Sequence, residues 1–475
     1  MQPSSRHFPE NARRALADDR LRAMLDKSAS GFRLRRRMAA DRLPEFEALR
    51  DRGRDIKDHT LAHLDLYLER FEAQVRAAGG TVHWCADAAG ARDAILAICR
   101  AAGAKTVTKG KSMIAEEIAI NDHLEAHGLV PVETDLGEYI VQLRKEPPSH
   151  IIAPAFHVSK EQVAESFRAA HTALDPARPL DEPSALLAEA RAMLRRRFHE
   201  ADVGITGANL LIAETGQTVI VTNEGNGDLT QTLPPVHIVL ASIEKVVPTP
   251  EDAATVLRLL ARSATGQEFS AYTTFSAGPR RAADPDGPRA FHVVLLDNGR
   301  SALMDTEFRE VLRCIRCGAC MNHCPVYGAV GGHAYGWVYP GPLGAVLDPA
   351  LIGLAEAKHL PNASTFCGRC EEVCPMRIPL PAMMRHWRRR EAEQGLQPAV
   401  TRRGLALWAW FARRPALYHA AARLAARLLR RLARRSGTLA MLPGAGGWTR
   451  HRDLPAPEGR TFRELWAERR TGDGP

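Results

Sequence analysis

The chain has 475 residues, 45% hydrophobic and 25% charged, an ordinary globular composition with room for two or three domains. Its opening MQPSSRHFPENARRALADDR has no apolar run that could serve as a secretory signal, and nowhere do about 18 apolar residues follow one another as a membrane span requires. This predicts a soluble cytoplasmic protein whose nine cysteines stay reduced; seven of them crowd into one short region, which points to metal or redox chemistry rather than a disulfide framework.

Residues 1–60 read as a helical arm, because LADDRLRAMLDKSASGFRLRRRMAADRL sets apolar residues at helical spacing among charges. From His59 the pattern alternates. LYLERFEAQVRAAG, DAILAICRAAG and EEIAINDHLEAHG read as helices, and TVHWCA, KTVTKG and VPVETD as strands between them. DVGITGANLLIAETGQTVIVTN, HIVLASIEKVV and AFHVVLLDN add strands, and PEDAATVLRLLARSA adds a helix. DPARPLDEP is a Pro-punctuated insertion that leads into another helix. The expectation is an α/β domain over 61–300 with a largely parallel sheet.

Two polar groupings in this domain are pocket candidates. Lys109-Gly110-Lys111-Ser112 ends like a phosphate-binding loop, but Lys105 stands where its first glycine belongs. A solvated turn is the plain reading, with an anion at the start of the next helix as the alternative. Asn209, Glu214, Thr215, Gly216, Asn223, Glu224 and Asn226 fall at predicted strand ends, where ligands bind in open α/β sheets, although Gly and Asn also suit hairpin turns. Cys85 and Cys99 sit in apolar surroundings and read as small core residues.

Residues 301–395 carry the chemistry. Cys314, Cys317, Cys320 and Cys324, followed by Pro325, form C-x2-C-x2-C-x3-C-P, the bacterial ferredoxin spacing. Zinc would use paired C-x2-C units, but leaves the third cysteine and the Cys-Pro of each arm unexplained. The second motif, aligned back from Cys374-Pro375, supplies Cys370 and Cys367 and has Ser364 where the first cysteine belongs. Exchanging the fourth ligands, as two-cluster ferredoxins do, gives cluster one Cys314, Cys317, Cys320 and Cys374, and cluster two Cys324, Cys367 and Cys370. The cofactors are therefore two [4Fe-4S] clusters. The fourth corner of the second stays open between Ser364, water, a partner's group and a [3Fe-4S] cluster, and Ser364 as a plain turn cap is the competing reading. The long connection between the motifs favours a helical ferredoxin module, with flanking helices beginning near Thr306 and Pro381.

The net charge of +9 is largely a property of the tail, 396–475. No acidic residue lies between Glu393 and Asp453, whereas Arg402, Arg403, Arg413, Arg414, Arg423, Arg427, Arg430, Arg431, Arg434 and Arg435 do. Arg423, Arg427, Arg430 and Arg434 make one helical stripe and Leu417, Ala421, Leu424, Leu428 and Leu432 another, which predicts a basic amphipathic helix. With no nucleic-acid motif, the reading is subunit docking first, then peripheral contact with the inner face of a membrane, with a helix packed on its own domain as the plain alternative.

TKGKSM, ETDLGEYIVQL, GITGANLLIAETGQTVIVTNEGN, CIRCGACMNHCPVYGAVGGHAYGWVYPGPLGAVL and CGRCEEVCPMRIPLP, in this order, resemble the lactate utilization protein B family, iron-sulfur subunits of a bacterial L-lactate oxidation system. The resemblance implies a sugar-phosphate isomerase and CoA-transferase type fold for the α/β domain and two clusters on the seven cysteines. The expected role is electron transfer among the subunits of that system, from a catalytic partner to a quinone or carrier. No flavin or nicotinamide fingerprint occurs, and no catalytic residue is assigned. The alternative is an α/β-domain enzyme acting on an acyl or sugar-phosphate compound, with structural or regulatory clusters.

Overall fold

The computed structural model describes residues 1–433, 437–442, 449 and 452–471. They fall into two compact units, Met1–Gln394 and Gly395–Pro475.

The first unit is built on ten strands: β1 (Thr81–Cys85), β2 (Thr106–Lys109), β3 (Val130–Glu133), β4 (Val203–Gly207), β5 (Leu210–Ile212), β6 (Gln217–Thr222), β7 (Val236–Ser242), β8 (Val246–Val247), β9 (Tyr272–Ser276) and β10 (Ala290–Leu296). Six form a sheet in the order β1-β10-β7-β4-β2-β3, every pair parallel. Both faces of a parallel sheet are covered by helices, so its central strands are apolar throughout rather than alternating. In β7, Ile238 and Leu240 face a core shared with the helix Ala88–Ala101, while Val239 and Ala241 face one shared with the helix Leu64–Ala77. A second sheet, β8-β5-β6-β9, is mixed: β5 pairs parallel with β8 and antiparallel with β6, which pairs antiparallel with β9. The expectation of a mixed α/β domain with a parallel sheet holds.

Two local expectations need correction. EEIAINDHLEA is two helices, Met113–Glu117 and Ile120–Ala126, because Ala119 between them is left-handed at φ 51°. Near Thr306, where a flanking helix was expected, the chain forms a 3₁₀ helix, Arg309–Arg313: the Thr306 hydroxyl accepts from the Phe308 N–H, and Cys314 is already extended for the cysteine loop. At the other flank, the helix Leu380–Glu393 starts beside Pro381. The N-terminal segment is helical and packed. Its helices Asp19–Asp41 and Phe46–Ala62 pack on both the helix Pro250–Ala264 and the cysteine-bearing region, burying Leu25, Phe46, Leu49 and Ile56.

The second unit contains the helices Ala399–Ala412, Pro415–Leu432 and Phe462–Thr471. Arg423, Arg427 and Arg430 are exposed on the middle one, and so are Leu417, Leu424, Leu428 and Leu432. The leucine stripe is thus not packed within this unit among the described residues, against the plain alternative. Arg434 and Arg435 lie outside the described residues. No helix among them is long and apolar enough to cross a membrane.

Candidate functional site

The two cysteine motifs fold alike, residue for residue. In each, two residues before the middle cysteine's own glycine the backbone turns left-handed: Arg316 (φ 59°) and Gly318 (φ 72°) in the first, Phe366 (φ 54°) and Gly368 (φ 80°) in the second. Glycine accepts that conformation without cost, and here it caps a four-residue helix in each case, Ala319–Asn322 and Arg369–Glu372. The equivalence extends to the first position. The Arg316 N–H donates to Sγ of Cys314 at 3.4 Å, and the Phe366 N–H donates to Oγ of Ser364 at 3.1 Å. Ser364 is the structural counterpart of Cys314.

Folding exchanges the last cysteine of each motif. Cys314, Cys317, Cys320 and Cys374 line one cavity, walled by Ile151, Met321, Leu343, Met376 and Leu380. Cys324, Cys367 and Cys370 line a second, with Ser364, Phe366 and Met384. Among the described residues no three His, Cys, Asp or Glu side chains gather as a single ion would require. Four thiols ring one volume and three the other, an arrangement that soft thiolates can offer to a polynuclear cluster. Burial pushes Cys317 and Cys370 up to about 12 and Cys374 up to about 11. Metal coordination is what deprotonates such thiols. Cys367 is exposed and lowered, through the Arg369 N–H and the Thr365 hydroxyl.

Three arginines of the N-terminal helices hold these loops, and sequence reasoning missed all of them. Arg33 donates to the Asn322 carbonyl at 2.7 Å, at the end of the first motif's short helix. Arg36 donates to Val373 O at 2.7 Å, at the end of the second's. Arg50, buried, donates to Glu372 O at 2.7 Å and Cys374 O at 2.8 Å. Cations at helix C-termini satisfy orphaned carbonyls. Arg33 and Arg36 stand in the basic run SGFRLRRR, but nothing local in it names the carbonyls they reach.

Behind the first cavity a buried ion network joins the cysteine region to the sheet. Arg300, fully buried, pairs with Glu117 at 2.7 Å and Glu244 at 3.1 Å, and Tyr339 donates to Glu117 at 2.5 Å. Arg316 pairs with Glu244 at 3.4 Å and stacks on Tyr339, 4.7 Å from the ring centre. Burial disfavours the charge on Glu244, but Arg300 and Arg316 outweigh it and hold the carboxyl at about 2.

The polar groupings read in the α/β domain divide. Asn209, Asn223, Glu224 and Asn226 line a cleft of about 580 Å³. The segments that frame it follow the carboxyl ends of β2, β3, β4 and β7, where strand order reverses between β2 and β4. Glu214, Thr215 and Gly216 instead make the β5–β6 turn; a Cβ on Gly216 would lie 2.7 Å from the Val75 nitrogen, so that turn is pressed against a helix. Gly110, Lys111 and Ser112 reach the cleft, but Lys109 is buried among Glu116 and Glu133 (3.0 and 2.8 Å), and Lys111 pairs with Asp135 at 3.2 Å. Ser112 caps the helix that follows it. Cys85 and Cys99 are core residues.

Three family models match in succession: the LUD domain over residues 68–296, the 4Fe-4S dicluster domain over 310–378, and the C-terminal region of lactate utilisation protein B over 383–471. Among curated proteins, a lactate utilization protein B from Oceanobacillus iheyensis is 41% identical, covering 98% of this chain and 97% of its own. Its counterpart from Bacillus licheniformis is 39% identical, covering 100% and 99%. An uncharacterized electron transport protein, YkgF, from Escherichia coli is 39% identical, covering 97% and 96%. With full-length identity at this level and the dicluster motif in place, the chain belongs to the lactate utilization protein B family.

Proposed function

We propose that this chain is the iron-sulfur electron-transfer subunit of a system that oxidises L-lactate to pyruvate. The observation that carries it is the pair of thiol-lined cavities on matching backbones, one set of four cysteines and one of three. In this reading Cys314, Cys317, Cys320 and Cys374 hold one [4Fe-4S] cluster, and Cys324, Cys367 and Cys370 hold a second with its fourth corner unassigned. Bound clusters supply one-electron redox chemistry, and the protein sets their position and potential. The chain's own groups do the rest: the Arg316 and Ile378 N–H groups point at Sγ of Cys314 and Cys374 (3.4 and 3.5 Å), and the apolar walls keep water from the first site. The relatives' names, lactate utilization and electron transport, support the role and the presence of partner subunits or carriers.

In this proposal residues 1–60 brace the cluster loops, 61–300 form a domain of sugar-phosphate isomerase and CoA-transferase type, 301–395 form the ferredoxin module, and 396–475 dock a partner. The exposed leucines beside Arg423, Arg427 and Arg430 support docking in the tail, on a cytoplasmic subunit or at the inner membrane face. The test is anaerobic purification with the neighbouring subunits, followed by iron analysis, EPR and reduction by lactate. Reduction of both clusters is expected; clusters that lactate and the partners cannot reduce would overturn the conduit, and zinc in place of iron would overturn the cofactor.

A further inference from the structure

The cleft at the carboxyl ends of the strands has no part in the electron-transfer reading, and it contains two groups whose chemistry is incomplete. Its volume, about 580 Å³, lies in the range of small-molecule sites, roughly 300–1,000 Å³. Its cations are not equivalent. Lys111 is bonded to Asp135, Arg35 to the Gly31 carbonyl and Arg316 to Glu244, whereas Lys245 makes neither a hydrogen bond nor an ion pair among the described residues. Its sequence neighbour Glu244 offsets it only in part, because one carboxylate oxygen faces Arg316 at 3.4 Å and the other Arg300 at 3.1 Å. Burial, reinforced by the Arg316 charge, lowers the Lys245 ammonium to about 8. A positive group so placed gains from an anion brought beside it.

The second group is Asn226, 6% exposed, which lines the same cleft with an Oδ1 that accepts no hydrogen bond. A buried acceptor left unpaired is unfavourable, so the site calls for a donor. The Thr230 hydroxyl bonds the Asn226 backbone carbonyl and leaves the side-chain oxygen without a donor. Fixed unmet donors and acceptors in a concave site specify a ligand by complement.

We propose that the cleft binds a hydroxyl-bearing organic anion, its carboxylate or phosphate paired with Lys245 and its hydroxyl donating to Oδ1 of Asn226. Cys314 lies within the electrostatic reach of Lys245, so the experiment is built to keep the two readings apart. Full-length protein, purified anaerobically, is titrated calorimetrically with L-lactate and with D-ribose 5-phosphate, and with propionate and sulfate as the anions lacking a hydroxyl. Binding of one hydroxylated probe with Kd below about 1 mM is expected, and which one binds separates carboxylate from phosphate. Lys245→Met, or Lys245→Gln if the first fails to fold, weakens that probe at least tenfold. Asn226→Leu weakens the hydroxylated probe at least fivefold and leaves its plain counterpart unchanged. No binding to folded wild-type protein, or binding that the Lys245 variants leave intact, overturns the site; equal affinity in Asn226→Leu overturns the hydroxyl contact. Iron is counted on the same samples, so iron-free protein that binds defeats only the cluster reading, and iron-loaded protein that does not bind defeats only this one.

Discussion

The loops Cys314–Cys320 and Ser364–Cys370 share a backbone and differ in everything around it. The first faces a cavity closed by aliphatic side chains and backed by Arg316, Glu244, Arg300 and Glu117. The second opens at the surface: Cys367 is exposed, and Arg369 and Glu372 pair in solvent beside it. Equal geometry in unequal surroundings is how one motif, used twice, gives two centres of different potential, because burial, local charge and hydrogen bonds to sulfur set that potential. The buried centre is insulated from partners and the exposed one is within their reach. Under the proposed assignment, the second is the one through which electrons leave or enter.

The sharpest way to break this comparison is to remove a cysteine from the motif it seems to belong to. Cys374→Ala lies in the second motif but is expected to abolish the buried centre and spare the exposed one. Cys324→Ala, in the first motif, is expected to do the reverse. Each should lose about half the iron, with complementary EPR signals remaining, as exchanged fourth ligands require. Loss of the same signal in both variants would mean that the motifs do not exchange ligands.

Next in size is the fully buried network behind the first loop; the ion pairs beside the second motif, Arg50–Glu47 and Arg377–Asp51, have exposed carboxylates. Arg300→Met takes from buried Glu117 its one ion-pair partner among the described residues, though the bonds from Tyr339 and Asn298 stay, and leaves Glu244 with Arg316 alone; breaking a buried pair costs about 3–5 kcal/mol. Denaturant unfolding measures the loss, and the remaining EPR change should fall on the buried centre. The network is also acid-sensitive. Because Glu244 is held at about 2, below its usual 4.5, its contribution is complete above 4.5 and disappears as pH falls towards 2. Arg300→Met should flatten stability in that window, and an unchanged acid limb would remove Glu244 from the account.

Smaller effects are expected from the arginines that tie down both loops. Arg50→Ala removes charged hydrogen bonds to Glu372 O and Cys374 O, worth about 1.5–3 kcal/mol, and loosens Cys374, so the buried centre should become more sensitive to oxygen. Arg33→Ala removes one bond, to Asn322 O, and should cost less. If Arg33→Ala is the more damaging, the anchoring is not shared between the loops in the way the bonds suggest.

These arginines mark the limit of what the sequence made legible. Cysteine spacing announced the centres because iron-sulfur ligation constrains neighbouring residues, and the strands announced themselves because a sheet covered on both faces needs runs such as HIVLAS and FHVVLL. Arg33 and Arg50 meet carbonyls 289 and 324 positions away, and no local pattern encodes a partner that distant. Lys245 was hidden likewise in a run read as strand, since only folding sets it beside Arg316 in the cleft. Strand β9 was missed because YTTFS, partly exposed on an edge, lacks the apolar signature of the central strands. The polar set around Asn209 split for the same reason: residues adjacent in sequence faced a cleft or a helix according to which side of the β5–β6 hairpin they lay on.

The smallest expected effect bears on the position where the two loops differ chemically. Ser364 occupies the place of Cys314 and accepts the same backbone N–H, so its hydroxyl is positioned as a ligand would be. Position is not affinity: a hydroxyl is a harder and far weaker acid than a thiol, and iron-sulfur centres select soft thiolates. Ser364→Ala should therefore cost only the lost acceptor, about 1 kcal/mol, with iron content and EPR unchanged. Ser364→Cys should complete the second set of thiolates, sharpen its resemblance to the first, and alter only the signal of the exposed centre. Iron lost in Ser364→Ala but kept in Ser364→Cys would make the serine a ligand and remove the chemical difference between the loops, leaving burial and charge as what separates them.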